Sequence, residues 1–237
     1  FMTGKPVGEG CFQTEQSGVT LQGALLASTD SLYVPQGRAA PLVYEKSTGK
    51  SRGSIPNAGG TYCLLTEEDQ LISGPQNQKE KDQVLRVADG TRRSHLLTFR
   101  GTNRMLVNKQ FAYLHQGENL TALDRVSYVD LQDEKRQLLA KQAAIAKQLK
   151  GRKNDQTLKS QHSETGSRIQ MLTTSLPKCF KWKIPCGHPI GFAMGGNTLY
   201  VGGDGIVMAF NASNGKKQWS AKVEGNAYGL AISNGRL

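Results

Sequence analysis

The sequence predicts an all-β fold, a partial β-propeller of about four to five four-stranded blades with one helical insertion. Two observations lead to this prediction, a recurring strand signal and the turn residues between its copies. The signal recurs along the 237 residues at Leu32, Leu71, Ala112, Leu199 and Leu237. The intervals are 39, 41, 87 and 38 residues. The long interval equals one period plus an insertion of roughly 45 residues, and a period near 40 is typical of β-propellers.

The clearest repeat shows why each unit is expected to form strands. The strand signal at 199–201 is followed by the glycine-rich turn 202–205, an apolar run at 206–210 and the pair Asn214-Gly215. Asn-Gly and Asp-Gly pairs favour hairpin turns because glycine accepts positive φ. The unit therefore predicts three strands, and we expect a fourth near residues 227–231. One unit cannot bury its apolar faces alone, so neighbouring units must stack.

The order of residues in this unit, LYVGGDGIVMAFNASNGKKQW, resembles the PQQ-like (quinoprotein-type) propeller repeat. The strings LYVPQGRAAPLVYEKSTGK and GGTYCLLTEEDQLISGP, followed by NRMLV and LTALDR, are similar to large planctomycete-type PQQ-repeat proteins of the cell envelope. The resemblance covers nearly all of the chain except the insertion. It implies a periplasmic, cell-envelope or secreted protein.

Catalytic members of the family hold PQQ between a tryptophan floor and a vicinal disulfide, with Ca²⁺ and an aspartate base, so the resemblance raises the question of a quinone site. This chain has no adjacent pair of cysteines, and Trp182 and Trp219 fit the packing of blades. Its four histidines, one of them His188, form no HxH or HxxxH pair. We assign no catalytic, cofactor-binding or metal-binding residue. PQQ and Ca²⁺ are expected only if sequence outside this chain supplies their ligands.

The predicted insertion spans residues 128–175 and separates propeller blades at 1–127 from those at 176–237, the latter truncated at the C-terminus. Residues 129–150 are rich in Ala, Leu, Lys, Gln and Glu without Gly or Pro, which favours a helix. Leu131, Leu138 and Ile145 recur every seven residues as a narrow apolar stripe. Two interpretations stay open. The segment is a helical hairpin lying over a blade edge, or a docking helix that binds a partner subunit through the stripe.

The chain is basic, with a net charge of +11 from 30 Lys and Arg against 19 Asp and Glu. The surplus is diffuse and lacks the aromatic-interleaved basic stripe expected of a nucleic-acid-binding surface, so we expect no nucleic-acid partner. A candidate basic rim for an anionic or protein partner consists of Arg38, Arg100, Arg104 and Arg125. No apolar run is long enough to span a membrane.

The four cysteines, at positions 11, 63, 179 and 186, contain no CxxC pair. Cys179 and Cys186 are close enough in sequence to close a small disulfide loop in an oxidising compartment. The alternative is that all four are buried free thiols.

These observations predict a non-catalytic scaffold or binding module, part of a larger envelope or secreted protein. Its partners would be other proteins or the rest of the same polypeptide. The resemblance implies two alternatives. The chain is a segment of a PQQ-dependent quinoprotein dehydrogenase, or a propeller fused to a separate catalytic domain such as a methyltransferase or cytochrome.

Overall fold

A computed structural model describes residues 21–60, 62–75, 83–187 and 190–237. The strands in these residues form four sheets. Sheet 1 contains β1 (Leu26–Ala27), β2 (Ser31–Gln36), β3 (Ala39–Glu45) and β4 (Ser51–Ser54). Sheet 2 contains β5 (Tyr62–Leu65), β6 (Gln70–Gly74), β7 (Val84–Asp89) and β8 (Ser94–Arg100). Sheet 3 contains β9 (Thr102–Val107), β10 (Phe111–Gln116), β11 (Asn119–Asp124) and β12 (Phe180–Pro185). Sheet 4 contains β13 (Gly191–Gly195), β14 (Thr198–Gly202), β15 (Asp204–Asn211) and β16 (Lys217–Asn226).

Each sheet is an antiparallel meander in which the strands lie in sequence order. Four-stranded sheets of this kind are the units of propeller blades. The prediction of a mostly β chain, built of four-stranded sheets with one helical insertion, is confirmed. The fourth strand of the last unit was predicted wrongly. It is not formed by residues 227–231, because β13 precedes the predicted three strands and β16 extends through Asn226 to complete the sheet.

The chain divides into two compact bodies, Phe1–Arg104 and Met105–Leu237. The first contains sheets 1 and 2, and the second contains sheet 4 and sheet 3 from the middle of β9 onward. Each body has an apolar core between its two sheets. The buried core of the first consists of Tyr33, Val43, Ile55, Ala58, Leu71 and Ala88. The core of the second consists of Tyr113, Leu120, Ala122, Cys186, Leu199, Val201, Met208, Phe210 and Ala212.

The connection between the third and fourth strands has the same geometry in sheets 1 and 4, and we call it the glycine turn (residues 46–50 and 212–216). In sheet 1, the Gly49 N–H donates to the Glu45 carbonyl at 2.8 Å. In sheet 4, the Gly215 N–H donates to the Asn211 carbonyl at 2.8 Å. Both glycines have φ of 71°, which glycine adopts at little steric cost. The repeat inferred from sequence is therefore visible as one turn built twice.

In sheet 3, two helices replace the glycine turn. Helix α1 (Arg125–Gly151) follows β11 directly, and helix α2 (Gln156–Ser175) leads through a 3-10 helix (Leu176–Cys179) into β12. The carboxylate of Asp124 caps α1 by accepting the Ser127 N–H at 3.2 Å. The insertion therefore lies within one sheet rather than between two, and α1 begins four residues earlier than the helix predicted at 129–150.

Candidate functional site

The described histidines and acidic side chains are dispersed. Among the residues that the structure describes, no three His, Cys, Asp or Glu side chains are close enough to hold a metal ion. Nε2 of His115 bonds to the carbonyl of Cys186 at 2.7 Å inside the second body. Nε2 of His95 bonds to Oγ1 of Thr98 at 2.8 Å. His188 and Cys11 lie outside the described residues. No helix in the described part of the chain is long and apolar enough to cross a membrane.

The two helices of the insertion form an antiparallel hairpin. The protected positions of α2 alternate in steps of four and three residues, at Leu158, His162, Thr165, Ile169 and Leu172, and the spacing continues to Leu176 at the start of the 3-10 helix. The stripe predicted on α1 has the matching period, and Ile145 is 5% exposed while Leu131 and Leu138 are half-buried. Such spacing places one seam of each helix against the other. This spacing favours the interpretation in which the stripe packs within the hairpin over the alternative of a docking surface for a partner subunit.

The base of the hairpin is held against sheet 3 by several kinds of contact. The Nε of Arg125 donates to the Asn108 carbonyl at 2.7 Å. The rings of Tyr128 and Phe180 meet edge to face at 5.7 Å between centroids. Farther along, Arg168 donates twice to the Glu134 carboxylate, at 2.7 and 3.0 Å, and so joins α2 to α1. These bonds lower the pKa of Glu134 and raise that of Arg168.

Charge is separated along the hairpin. Its distal part, residues 141–159, carries one acidic side chain, Asp155, whose carboxylate caps α2 by accepting the Leu158 N–H at 3.0 Å. The exposed basic side chains of this part are Lys141, Lys147, Lys150, Arg152, Lys153 and Lys159. We call this set the hairpin tip. The rest of the two helices is balanced. It carries the basic residues Arg125, Lys135, Arg136 and Arg168 and the acidic residues Asp130, Asp133, Glu134 and Glu164.

The hairpin tip was not predicted as a site, because in the sequence its lysines look like the solvated face of a helix. Three features show it to be a cluster. The hairpin fold brings the end of α1 beside the start of α2, the connecting loop is basic, and no acidic side chain pairs with the lysines in the residues described.

The candidate basic rim is only partly accessible. Arg38 lies exposed in the turn between β2 and β3, and Arg100 and Arg104 are exposed on β8 and β9. Arg125 is 8% exposed and donates its Nε to a main-chain carbonyl, so it holds α1 in place. It is therefore removed from the rim, because a buried guanidinium that donates to a main-chain carbonyl is not available to an external anion.

The proposed disulfide between Cys179 and Cys186 is contradicted by the structure, where both are free, buried thiols. They lie at opposite ends of strand β12. A strand of this length holds them roughly 20 Å apart, whereas a disulfide requires Cα atoms within about 7 Å. Cys63 is also free, and burial raises its pKa to about 11. The alternative of buried free thiols is met by Cys179 and Cys186, whereas Cys63 is free but only half-buried.

The two tryptophans have different surroundings. Trp182 on β12 packs into the core between sheets 3 and 4, and its Nε1 donates to the Ala212 carbonyl at 3.0 Å. The prediction that it serves blade packing is confirmed. Trp219 occupies the equivalent place on β16 but is 41% exposed. In the described residues its indole lies beside Tyr200, with 5.9 Å between ring centroids.

Comparison with solved structures finds similar strand arrangements at low identity. BamB from Moraxella catarrhalis is 12% identical with a TM-score of 0.44, over 83% of this chain and 47% of its own. Apo AztD from Citrobacter koseri is 13% identical with a TM-score of 0.47, over 85% and 47%. The computationally designed protein Ika8 is 9% identical with a TM-score of 0.49, over 89% and 52%. BamB and AztD are β-propeller proteins.

The chain spans about half the length of these structures. No protein-family model matches it, and no curated protein does.

Proposed function

We propose that the chain is a non-catalytic, β-propeller-type scaffold that presents the hairpin tip to an acidic protein surface. The observation that carries this proposal is the separation of charge along a firmly seated helical arm. Six exposed basic side chains lie at the distal end, with one acidic side chain among them, while the part nearer sheet 3 is balanced. A potential of one sign concentrated at the end of an arm attracts and orients a partner of the opposite sign.

The reach of the arm supports a role in presentation. Helix α1 has 27 residues, which corresponds to a length of about 40 Å. The base is fixed by the Arg125 bond, the Tyr128–Phe180 contact and the Asp124 cap. The packed pair of helices therefore holds the hairpin tip away from sheet 3. Such a preorganised arm loses little conformational freedom when it binds.

The chemistry of the tip favours a protein over other anionic partners. Residues 141–159 contain no aromatic side chain, so the stacking that binds single-stranded nucleic acid is missing there. The leucines of this segment, Leu149 and Leu158, are half-buried in the hairpin seam. The tip therefore lacks the exposed apolar side chains with which amphipathic helices enter a lipid surface. Lysine and arginine side chains attract carboxylates over long distances, so the tip suits an acidic protein surface.

We further propose that the repeat is of the PQQ-like type and that the protein belongs to the cell envelope or is secreted. The recurrence of the glycine turn in sheets 1 and 4 and the position of Trp219 after the turn in sheet 4 support the first part. The second part rests on the sequence resemblance. Arg38, Arg100 and Arg104 stay a second candidate surface for an anionic partner.

The proposal is tested by charge reversal at two matched places. The tip variant carries Lys147→Glu, Lys150→Glu and Lys153→Glu, and the rim variant carries Arg38→Glu, Arg100→Glu and Arg104→Glu. Both change the net charge equally. Binding of each to poly-L-glutamate, duplex DNA and anionic vesicles is measured at low and at physiological salt.

We expect the unmodified chain to bind polyglutamate in a salt-dependent manner, the tip variant to lose this binding and the rim variant to keep it. Loss in the rim variant alone would move the site to the rim. Tighter binding to DNA or vesicles than to polyglutamate at equal salt would overturn the proposed class of partner. Quinone absorbance with Ca²⁺-dependent dye reduction would replace the scaffold function with the dehydrogenase alternative.

A further inference from the structure

We propose that the connection between α1 and α2 is a cleavage site for an endoprotease that cuts after basic residues, and that the cut protein stays assembled as two chains. The inference does not depend on the acidic partner of the hairpin tip. It rests on the exposure and hydrogen bonding of the connection, and on the contacts that join the parts of the chain on either side of it.

The sequence offers such a protease four adjacent pairs of basic residues. They are Arg92-Arg93, Lys135-Arg136, Arg152-Lys153 and Lys216-Lys217. The specificity pocket of a trypsin-like enzyme accepts one basic side chain, so each pair satisfies the requirement of sequence. The residues on both sides of the cut bond must also lie extended in the cleft of the enzyme, and hydrolysis therefore acts on a locally opened form of the chain. The fold decides which of the four pairs can open.

The pair Arg152-Lys153 lies in a segment without buried side chains. We call residues 150–157 the tip segment. Its side chains are all exposed except that of Asp155, which is half-buried. The nearest side chains of the hairpin seam, Leu149 and Leu158, lie just outside it. The tip segment can therefore become extended without moving a side chain out of the seam.

The backbone of the tip segment belongs to the ends of the two helices. The Arg152 N–H donates to the Gln148 carbonyl at 3.1 Å, and the Asp155 N–H donates to the Arg152 carbonyl at 3.1 Å. Helix α1 ends on Gly151, a residue type that disfavours helix. Helix ends open at little cost, and exposed tips of polar residues are the preferred places of proteolytic cleavage.

The other three pairs lie in backbone that the fold holds. Lys135-Arg136 is in the interior of α1. Arg92-Arg93 is in the tight turn that joins the paired strands β7 and β8. Lys216-Lys217 leads into β16, and the Lys216 carbonyl accepts the Asn211 N–H at 2.8 Å. Opening any of these places breaks hydrogen bonds inside a helix or between paired strands, so the opened form is rarer there than at the tip segment.

The contacts outside the tip segment join the two chains that a cut would produce. Hydrolysis after Arg152 or Lys153 consumes one water molecule, and leaves a carboxylate on the residue before the cut and an ammonium group on the next one. Strand β12 of the second chain still pairs with β11 of the first. Arg168 still donates twice to Glu134 across the hairpin. The apolar core of the second body also combines side chains from both chains. The cut protein therefore keeps its fold.

The experiment treats the full chain with dilute trypsin and follows each cut by mass spectrometry. Short peptides that contain the four pairs with their flanking residues give the rate of each cut without the fold. After division by these rates, we expect the pair in the tip segment to be cut at least about 10-fold faster than any of the other three. Lys150→Gln with Arg152→Gln and Lys153→Gln should remove the early two-chain product. Arg92→Gln with Arg93→Gln is the control, and it should leave that product unchanged.

Size-exclusion chromatography of the cut protein tests the second part of the proposal. We expect the two fragments to elute together in buffer and to separate in urea. Fragments that separate in buffer would overturn the two-chain assembly. A cut at any of the other three pairs as fast as the cut in the tip segment would overturn the assignment of the site. So would a folded chain that trypsin leaves intact at residues 150–154.

Discussion

Replacing Gly215 with alanine tests whether Trp182 truly joins sheets 3 and 4. The new Cβ would lie 2.8 and 2.9 Å from two carbon atoms of the indole, closer than real contacts allow. Holding alanine at the φ of 71° found here costs about 1–2 kcal/mol. Displacing a packed ring costs about 1–3 kcal/mol more. The free energy of unfolding of the second body should therefore fall by roughly 3 kcal/mol.

The measurement is urea unfolding followed by tryptophan fluorescence, because Trp182 and Trp219 both lie in the second body. Gly196→Ala is the control, since Gly196 has φ of 58° but no described atom within 4 Å of its added Cβ. It should lose only the conformational part, about 1–2 kcal/mol.

The double variant Trp182→Ala, Gly215→Ala completes a double-mutant cycle. Once the Trp182 ring is absent, Gly215→Ala should lower the free energy of unfolding by no more than Gly196→Ala does. Equal losses in Gly215→Ala and Gly196→Ala would refute the reasoning. The double variant would then show no coupling between the indole and the turn. Trp219 still reports unfolding in that variant.

Three further predictions follow from burial. Burial and the neighbouring Asp69 raise the pKa of Tyr33 to about 12. The free energy of unfolding that is present below pH 10 should therefore decline as the pH rises toward 12. Tyr33→Phe should remove this decline in alkaline unfolding curves. Burial raises the pKa of Cys63 to about 11, so its alkylation at pH 8, followed by mass spectrometry, should be slow in the folded chain and ordinary in urea. Ile145→Ala should destabilise the hairpin by about 2–4 kcal/mol, measured by helical circular dichroism, while Leu139→Ala, at an exposed position, should have little effect.

The repeat could be predicted from the sequence because its turns carry their own conformational requirement. Gly49 and Gly215 adopt positive φ, and the residues around them specify the glycine turn locally. Helix α1 was predicted for the same reason, since its composition favours helix whatever surrounds it. Local preferences of this kind are visible in a single sequence.

What the sequence did not predict depends on which segments meet. Helix α2 was only an alternative, because residues 156–175 are polar and their seam acquires meaning only opposite α1. Arg125 looked like a rim residue until β11 and α1 placed it beside Asn108. Only seven positions separate Cys179 and Cys186 in the sequence. The strand between them is extended, and an extended strand holds its two ends as far apart as that number of residues allows. The hairpin tip likewise exists only after folding.

The place of the insertion also bears on how sheet 3 is assembled. In sheet 1 five residues connect the third and fourth strands, whereas in sheet 3 the connection is residues 125–179, or 55 residues. Closing a flexible loop of that length costs about 2 kcal/mol more than closing the short turn. A hairpin that forms early from local contacts removes this difference, because it returns the chain to β11 before β12 pairs. The helical arm thus acts as a long but rigid turn, and weakening its seam would delay the completion of the sheet that supports it.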